Sequence, residues 1–167
     1  NYSDRRDVPT GPLVSGATTT ALLASLCAKG TTIIKNPYTK IDIIELVRFL
    51  QGCGCEVFQK KDSIHITPPA NLQGGIYQAP ADIVEVMTYI ALALFNDIEL
   101  TLGNVNTREL VTLHPAEFET LERMGVRLEM TADKIFVPRT EKITNVDIDV
   151  FNTGICIYSD CQPFFAL

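Results

Sequence analysis

The chain has 167 residues, 46% of them hydrophobic and 20% charged, and a formal charge of −6 at pH 7. That composition belongs to a globular protein with a core of its own, and an acidic balance without a block of Lys or Arg argues against a nucleic-acid or anionic-membrane surface. The longest apolar runs, such as YIALALF, fall far short of the roughly 20 residues that span a bilayer, and the opening NYSDRRDVPTG lacks the apolar stretch of a signal peptide.

In chain order, residues 17–29 are apolar apart from Thr and Ser, which predicts a helix buried on all sides. TTIIK is a short β-branched strand. From residue 39 or 40 to 51 the pattern is amphipathic: Ile43, Val47 and Leu50 share one face, and Asp42, Glu45 and Arg48 point away. Gly52 and Gly54 end that helix. CEVFQ and SIHIT then form a hairpin around KKD. GGIYQAP reads as a strand leading into a second buried helix over residues 82–95. IELTL is a strand, residues 115–124 form a helix with Pro115 in its first turn, and VRLEM and KIFVP make a hairpin around TAD. TNVDIDVFN reads as the leading strand of a third unit, with Asp160 capping the helix after it.

This order of elements occurs twice. Asn36 matches Asn104 at an offset of 68 residues, while Gly54 matches Gly125 and Ile64 matches Ile135 at an offset of 71. A shared order over some 70 residues is a stronger signal than any single motif. Each unit is β-α-β-α-β-β, with one helix buried all round, so the expected α/β architecture wraps sheets around a core of helices. The chain stops at the start of unit three and begins without Met, so it is expected to be a piece of a longer protein.

Three helix starts carry candidate chemistry. In PLVSGATTT, Ser15 and Gly16 stand where backbone N–H groups lack partners, so an anion such as a phosphate would be stabilised there. The competing reading is that Ser15 only caps the helix. In PADIVEVMTY, Asp82 and Glu85 have capping-box spacing. Glu85 shares an otherwise apolar helix with Thr88, where a buried carboxylate needs a partner. It makes either a structural hydrogen bond or a substrate contact. Asp160, in IYSDCQPFF, is a cap or a general base acting on a substrate hydroxyl. His65, in a hairpin strand, and His114, in a loop before Pro115, form no catalytic or metal constellation. Cys27 reads as a small core residue. Neither Cys53 with Cys55 nor Cys156 with Cys161 has zinc or redox spacing, which fits a reduced, cytosolic protein.

The stretches SGATTTALLASLCAKGTTIIKNPYTKIDIIELVRFLQGCGCEV, GGIYQAPADIVEVMTYIALAL and SDCQPFFAL, in that order, resemble the enolpyruvyl transferase family, and within it the branch acting on UDP-N-acetylglucosamine. The likeness covers nearly all of the chain. It implies an inside-out α/β barrel built of βαβαββ repeats, incomplete here. Residues 1–78 would be the last repeat of one domain, and 79–167 the first full repeat of the second plus the start of the next. It implies transfer of enolpyruvyl from phosphoenolpyruvate to the sugar 3-hydroxyl in a cleft between domains, as a step of cytoplasmic peptidoglycan synthesis, with no metal or cofactor. By motif position Asp160 matches the family's base, and Val14, Ser15 and Gly16 match the segment that holds the UDP moiety. Asp82 and Glu85 fall in the segment whose family form is P-D-R-I-E, where Ile83 replaces the Arg. The family's acid-bearing loop lies upstream of this chain, so the piece alone is expected to be inactive, and an exposed half-cleft would favour self-association. The alternatives are the family's 3-phosphoshikimate branch, which typically carries S-S-Q where VSGAT stands here, and a non-catalytic binding module on the same repeat.

Overall fold

The chain forms an α/β structure in two units, Asn1–Ala79 and Pro80–Leu167. The computed structural model describes residues 15–38, 41–140, 142–148 and 157–166. The first unit runs α1 (Ser15–Ser25), β1 (Thr32–Lys35), α2 (Ile41–Gly52), β2 (Glu56–Lys60) and β3 (Ser63–Thr67). The second runs α3 (Ile83–Phe95), β4 (Leu100–Gly103), α4 (Thr107–Leu113), α5 (Pro115–Arg123), β5 (Glu129–Met130) and β6 (Lys134–Val137). A 3₁₀ turn at Ser159–Cys161 then runs into the short α6 (Gln162–Phe165).

The two units repeat each other down to single backbone angles. Each has a three-stranded antiparallel sheet with its last strand in the middle, in the orders β1-β3-β2 and β4-β6-β5. Ile34 faces Ile64 in one sheet, and Leu102 faces Ile135 in the other. Asn36 and Asn104, each just past the first strand of its sheet, both turn left-handed at φ 49° and 61°. Asn tolerates this region better than most residues.

Helices α2 and α5 end alike. Gly54 and Gly125 adopt φ 93° and 91°, and their N–H groups bond to Gln51 O and Glu122 O. The next residues, Cys55 and Val126, bond to Leu50 O and Leu121 O. This is the Schellman pattern, in which a left-handed residue satisfies orphan helix carbonyls. Cys55 with Leu50, and Val126 with Leu121, are buried as its apolar clasp.

Each unit has its own core. Ile43, Val47 and Leu50 of α2 pack with Leu22, Ile64 and Ile66, as the amphipathic pattern predicts. In the second unit Ile83, Val86, Met87 and Ile90 of α3 pack with Leu121, Ile135, Val137, Ile157, Cys161 and Phe165.

Several expectations are corrected. α1 and α3 are buried on one face only. Leu23 on α1, and Tyr89, Leu92 and Phe95 on α3, are exposed, because no described element of their own unit covers that flank. Cys27 is exposed in the turn after α1 rather than buried in a helix. Residues 74–80 form no strand. Tyr77 there stacks edge-on against Phe49, with ring centroids 5.5 Å apart, and its hydroxyl bonds to the Glu45 carboxylate. The three extra residues of the second unit fall between Asn104 and Gly125, the stretch that holds the unforeseen α4. Its cap is Asn106, whose side chain accepts the Glu109 N–H at 3.2 Å. VRLEM pairs only at Glu129–Met130. The expected third leading strand shows no strand over residues 144–148, and the rest of it lies outside the described residues. Among the described residues no helix is long and apolar enough to cross a membrane.

Candidate functional site

At the start of α1, Val14 and the Ser15 side chain lie outside the described residues. Gly16 is exposed, with open space where a Cβ would stand. Of the three threonines that follow, Thr18 is committed to structure. It is buried, and its Oγ1 accepts the Tyr38 N–H at 2.9 Å. Thr20 is exposed and Thr19 half-buried.

Asp82 is the N-cap of α3, its Oδ1 accepting the Val84 N–H at 2.8 Å. Glu85, three residues on, is exposed on the first turn rather than buried, so its carboxylate is solvated. Thr88 turns inward on its own helix and donates to Val84 O at 2.7 Å. Ile83, where the family pattern has Arg, is 4% exposed and part of the core. The sequence therefore places an apolar anchor where a cation is expected.

Asp160 is not a cap. Tyr158 precedes the 3₁₀ turn and makes no side-chain capping bond. Asp160 sits inside the turn and is exposed, with Ser159 Oγ donating to its Oδ1 at 3.4 Å. Its neighbours explain how an exposed carboxylate is held. Cys161 and Ile157 are buried in the unit's core, and the Cys161 N–H donates to Tyr158 O at 2.8 Å. The Tyr158 N–H donates to Glu117 Oε1 at 2.6 Å, across 41 residues of sequence. The 3₁₀ turn and α6 both pack on α3, the helix that Asp82 caps. Asp82, Glu85 and Asp160 thus belong to one unit, while Gly16 belongs to the other.

Reading His114 as a loop residue missed a buried polar pair. His114 joins α4 to α5 and is buried, with its Nδ1 4.0 Å from Glu117 Oε2. The signal was present in the sequence: positions 114, 117, 118 and 121 share one helical face, and Phe118 and Leu121 are apolar. A carboxylate on that stripe must be buried and partnered. A groove of about 590 Å³ elsewhere in this unit, lined by Val111, Phe118, Glu122, Arg127 and Met130 among others, contains none of the three helix starts. Among the described residues no cluster of His, Cys, Asp or Glu could hold a metal ion.

Comparison with known proteins bears on the family and the fold. UDP-N-acetylglucosamine 1-carboxyvinyltransferase from a Wolbachia of Brugia malayi is 28% identical over 151 residues, 89% of this chain and 34% of the relative. UDP-N-acetylglucosamine 1-carboxyvinyltransferase 2 of Lactococcus lactis is 32% identical over 134 residues, 80% of this chain and 31% of the relative. The chain therefore spans about a third of the length of these curated relatives. The crystal structure of the enolpyruvyl transferase NikO from Streptomyces tendae superposes with a TM-score of 0.83 at 30% identity, covering 99% of this chain and 39% of that one. EPSP synthase from Acinetobacter baumannii, at 19% identity and a TM-score of 0.63 over 93% of this chain and 36% of its own, shares the fold. The family profile of EPSP synthase (3-phosphoshikimate 1-carboxyvinyltransferase) matches residues 10–157, and the chain belongs to that family of enolpyruvyl transferases.

Proposed function

We propose that the protein carrying this chain transfers enolpyruvyl from phosphoenolpyruvate to the 3-hydroxyl of UDP-N-acetylglucosamine, releasing inorganic phosphate. The relatives named for that reaction support this reading, and the placement of Asp160 carries it. An exposed carboxylate on a turn clamped at both ends is suited to accept a hydroxyl proton from a bound substrate. The N-terminus of α1, where Gly16 is exposed, is suited to the diphosphate of a nucleotide-sugar, since its N–H groups and dipole favour an anion. Asp82 is occupied by its cap, so of the α3 pair Glu85 is the freer to meet substrate.

On this reading the chain holds the final repeat of one domain, residues 1–78, and the opening of the next, residues 79–167. In the complete protein such βαβαββ units wrap into inside-out barrels, whose helix faces cover the flanks that α1 and α3 leave open. The activity would serve cytoplasmic synthesis of peptidoglycan precursors.

A second reading is an enolpyruvyl transferase with a different acceptor. Ile83 favours it, since a buried apolar residue there removes a cation that the family pattern offers to anionic substrates.

The test uses the full-length protein, with phosphate release followed in the presence of phosphoenolpyruvate and UDP-N-acetylglucosamine. Turnover is expected, and Asp160→Asn is expected to lower it by about 10²-fold or more with circular dichroism unchanged. Unaltered turnover in that variant removes Asp160 as the base. Failure to bind UDP-N-acetylglucosamine, with turnover on another hydroxyl acceptor, selects the second reading.

A further inference from the structure

Glu117 is 2% exposed and His114 7%. Burying two titratable groups is costly, and apolar residues of the same size commonly serve stability as well or better. The arrangement gains a fixed point instead. Glu117 Oε1 holds the Tyr158 N–H at 2.6 Å, Oε2 lies 4.0 Å from His114 Nδ1, and Tyr158 is two residues before Asp160. On either side of Tyr158 the chain is anchored by buried Ile157 and Cys161. The hydrophobic anchors set the depth of the turn but are non-directional. The hydrogen bond to Glu117 is directional and fixes its rotation.

We propose that Glu117, steadied by His114, is a positioning residue that aims the Asp160 carboxylate at the substrate hydroxyl. This rests on Asp160 being the base. Glu117 never meets substrate and acts through the backbone of the turn, so its removal is felt in the chemical step rather than in binding. A misplacement of about 1 Å at a reacting group is enough to cost up to about 10²-fold in rate.

The experiment compares Glu117→Gln and Glu117→Asp in the full-length protein. Gln keeps an acceptor oxygen at the same reach, whereas Asp keeps the charge and falls one methylene short. Glu117→Gln is expected to hold kcat within about 3-fold, and Glu117→Asp to lower it by about 10-fold or more with KM for the acceptor little changed. Amide exchange at Tyr158 should be faster in the Asp variant alone. In an Asp160→Asn background, Glu117→Asp should cost nothing further, because one group acts through the other.

Equal kcat in wild type and Glu117→Asp overturns the proposal, as does a loss that simply adds to that of Asp160→Asn. If Glu117→Asp does not fold, His114→Gln takes its place: faster Tyr158 exchange with lower kcat supports the proposal, and unchanged kcat overturns it. Should Asp160→Asn itself leave turnover unchanged, the base assignment fails, which is a separate outcome from failure of the Glu117 variants alone.

Discussion

Asp82 has a structural task that is independent of any substrate. Its Oδ1 satisfies the Val84 N–H at the start of α3, so Asp82→Ala is expected to cost about 1 kcal/mol in urea denaturation. A change near zero would show that the cap carries no weight. Cys55 reports on the core instead. Burial pushes its thiol above the ordinary range, and nearby Cys53 pushes it the same way. The folded chain therefore holds that proton more tightly than the unfolded one. The resulting stability is complete below the ordinary thiol range and is lost as pH rises through the raised folded value. In Cys55→Val the alkaline decline of stability should be shallower than in wild type, and identical declines would refute the assignment. Asp82 was legible in the sequence because a cap depends only on local spacing. Asp160 and Glu117 were legible only in part. The residue types were visible, but whether Asp160 caps or stands free, and that Glu117 reaches Tyr158, depends on a contact 41 positions away.

At the level of the element, the repeat was readable because its corners depend on local backbone demands. Asn36 with Asn104 and Gly54 with Gly125 turn left-handed at matching places, and few residues other than Gly and Asn do so cheaply. Gly54→Ala and Gly125→Ala are each expected to cost about 1–2 kcal/mol in stability. Gly52→Ala should be neutral or slightly stabilising, since Gly52 ends α2 without a left-handed angle and with open space around it. Equal effects at all three positions would contradict the corner argument. The burial of α1 and α3 was less legible. Their sequences are apolar nearly all round, yet burial depends on what lies opposite, and no described neighbour within the unit covers the face bearing Tyr89, Leu92 and Phe95. The missed α4 has the same kind of cause. Its seven residues, TRELVTL, are too short for periodicity to speak, and the Asn106 cap was the local sign of it.

For the whole molecule, two separate cores and a shared strand order describe one building plan used twice, and the family assignment rests on nearly the full chain. The chain spans about a third of the length of the curated relatives it matches. The strand order also bears on how such a chain is made. In each sheet the central strand is the last of the three to leave the ribosome. Until Ser63–Thr67 emerges, the two outer ribbons of the first unit have nothing between them, and Lys134–Val137 plays that part in the second. A nascent chain therefore cannot assemble either sheet gradually. Each waits and then closes around a single late arrival, so a pause in translation just upstream of residue 63 or 134 would leave unpaired edges open to the wrong neighbour.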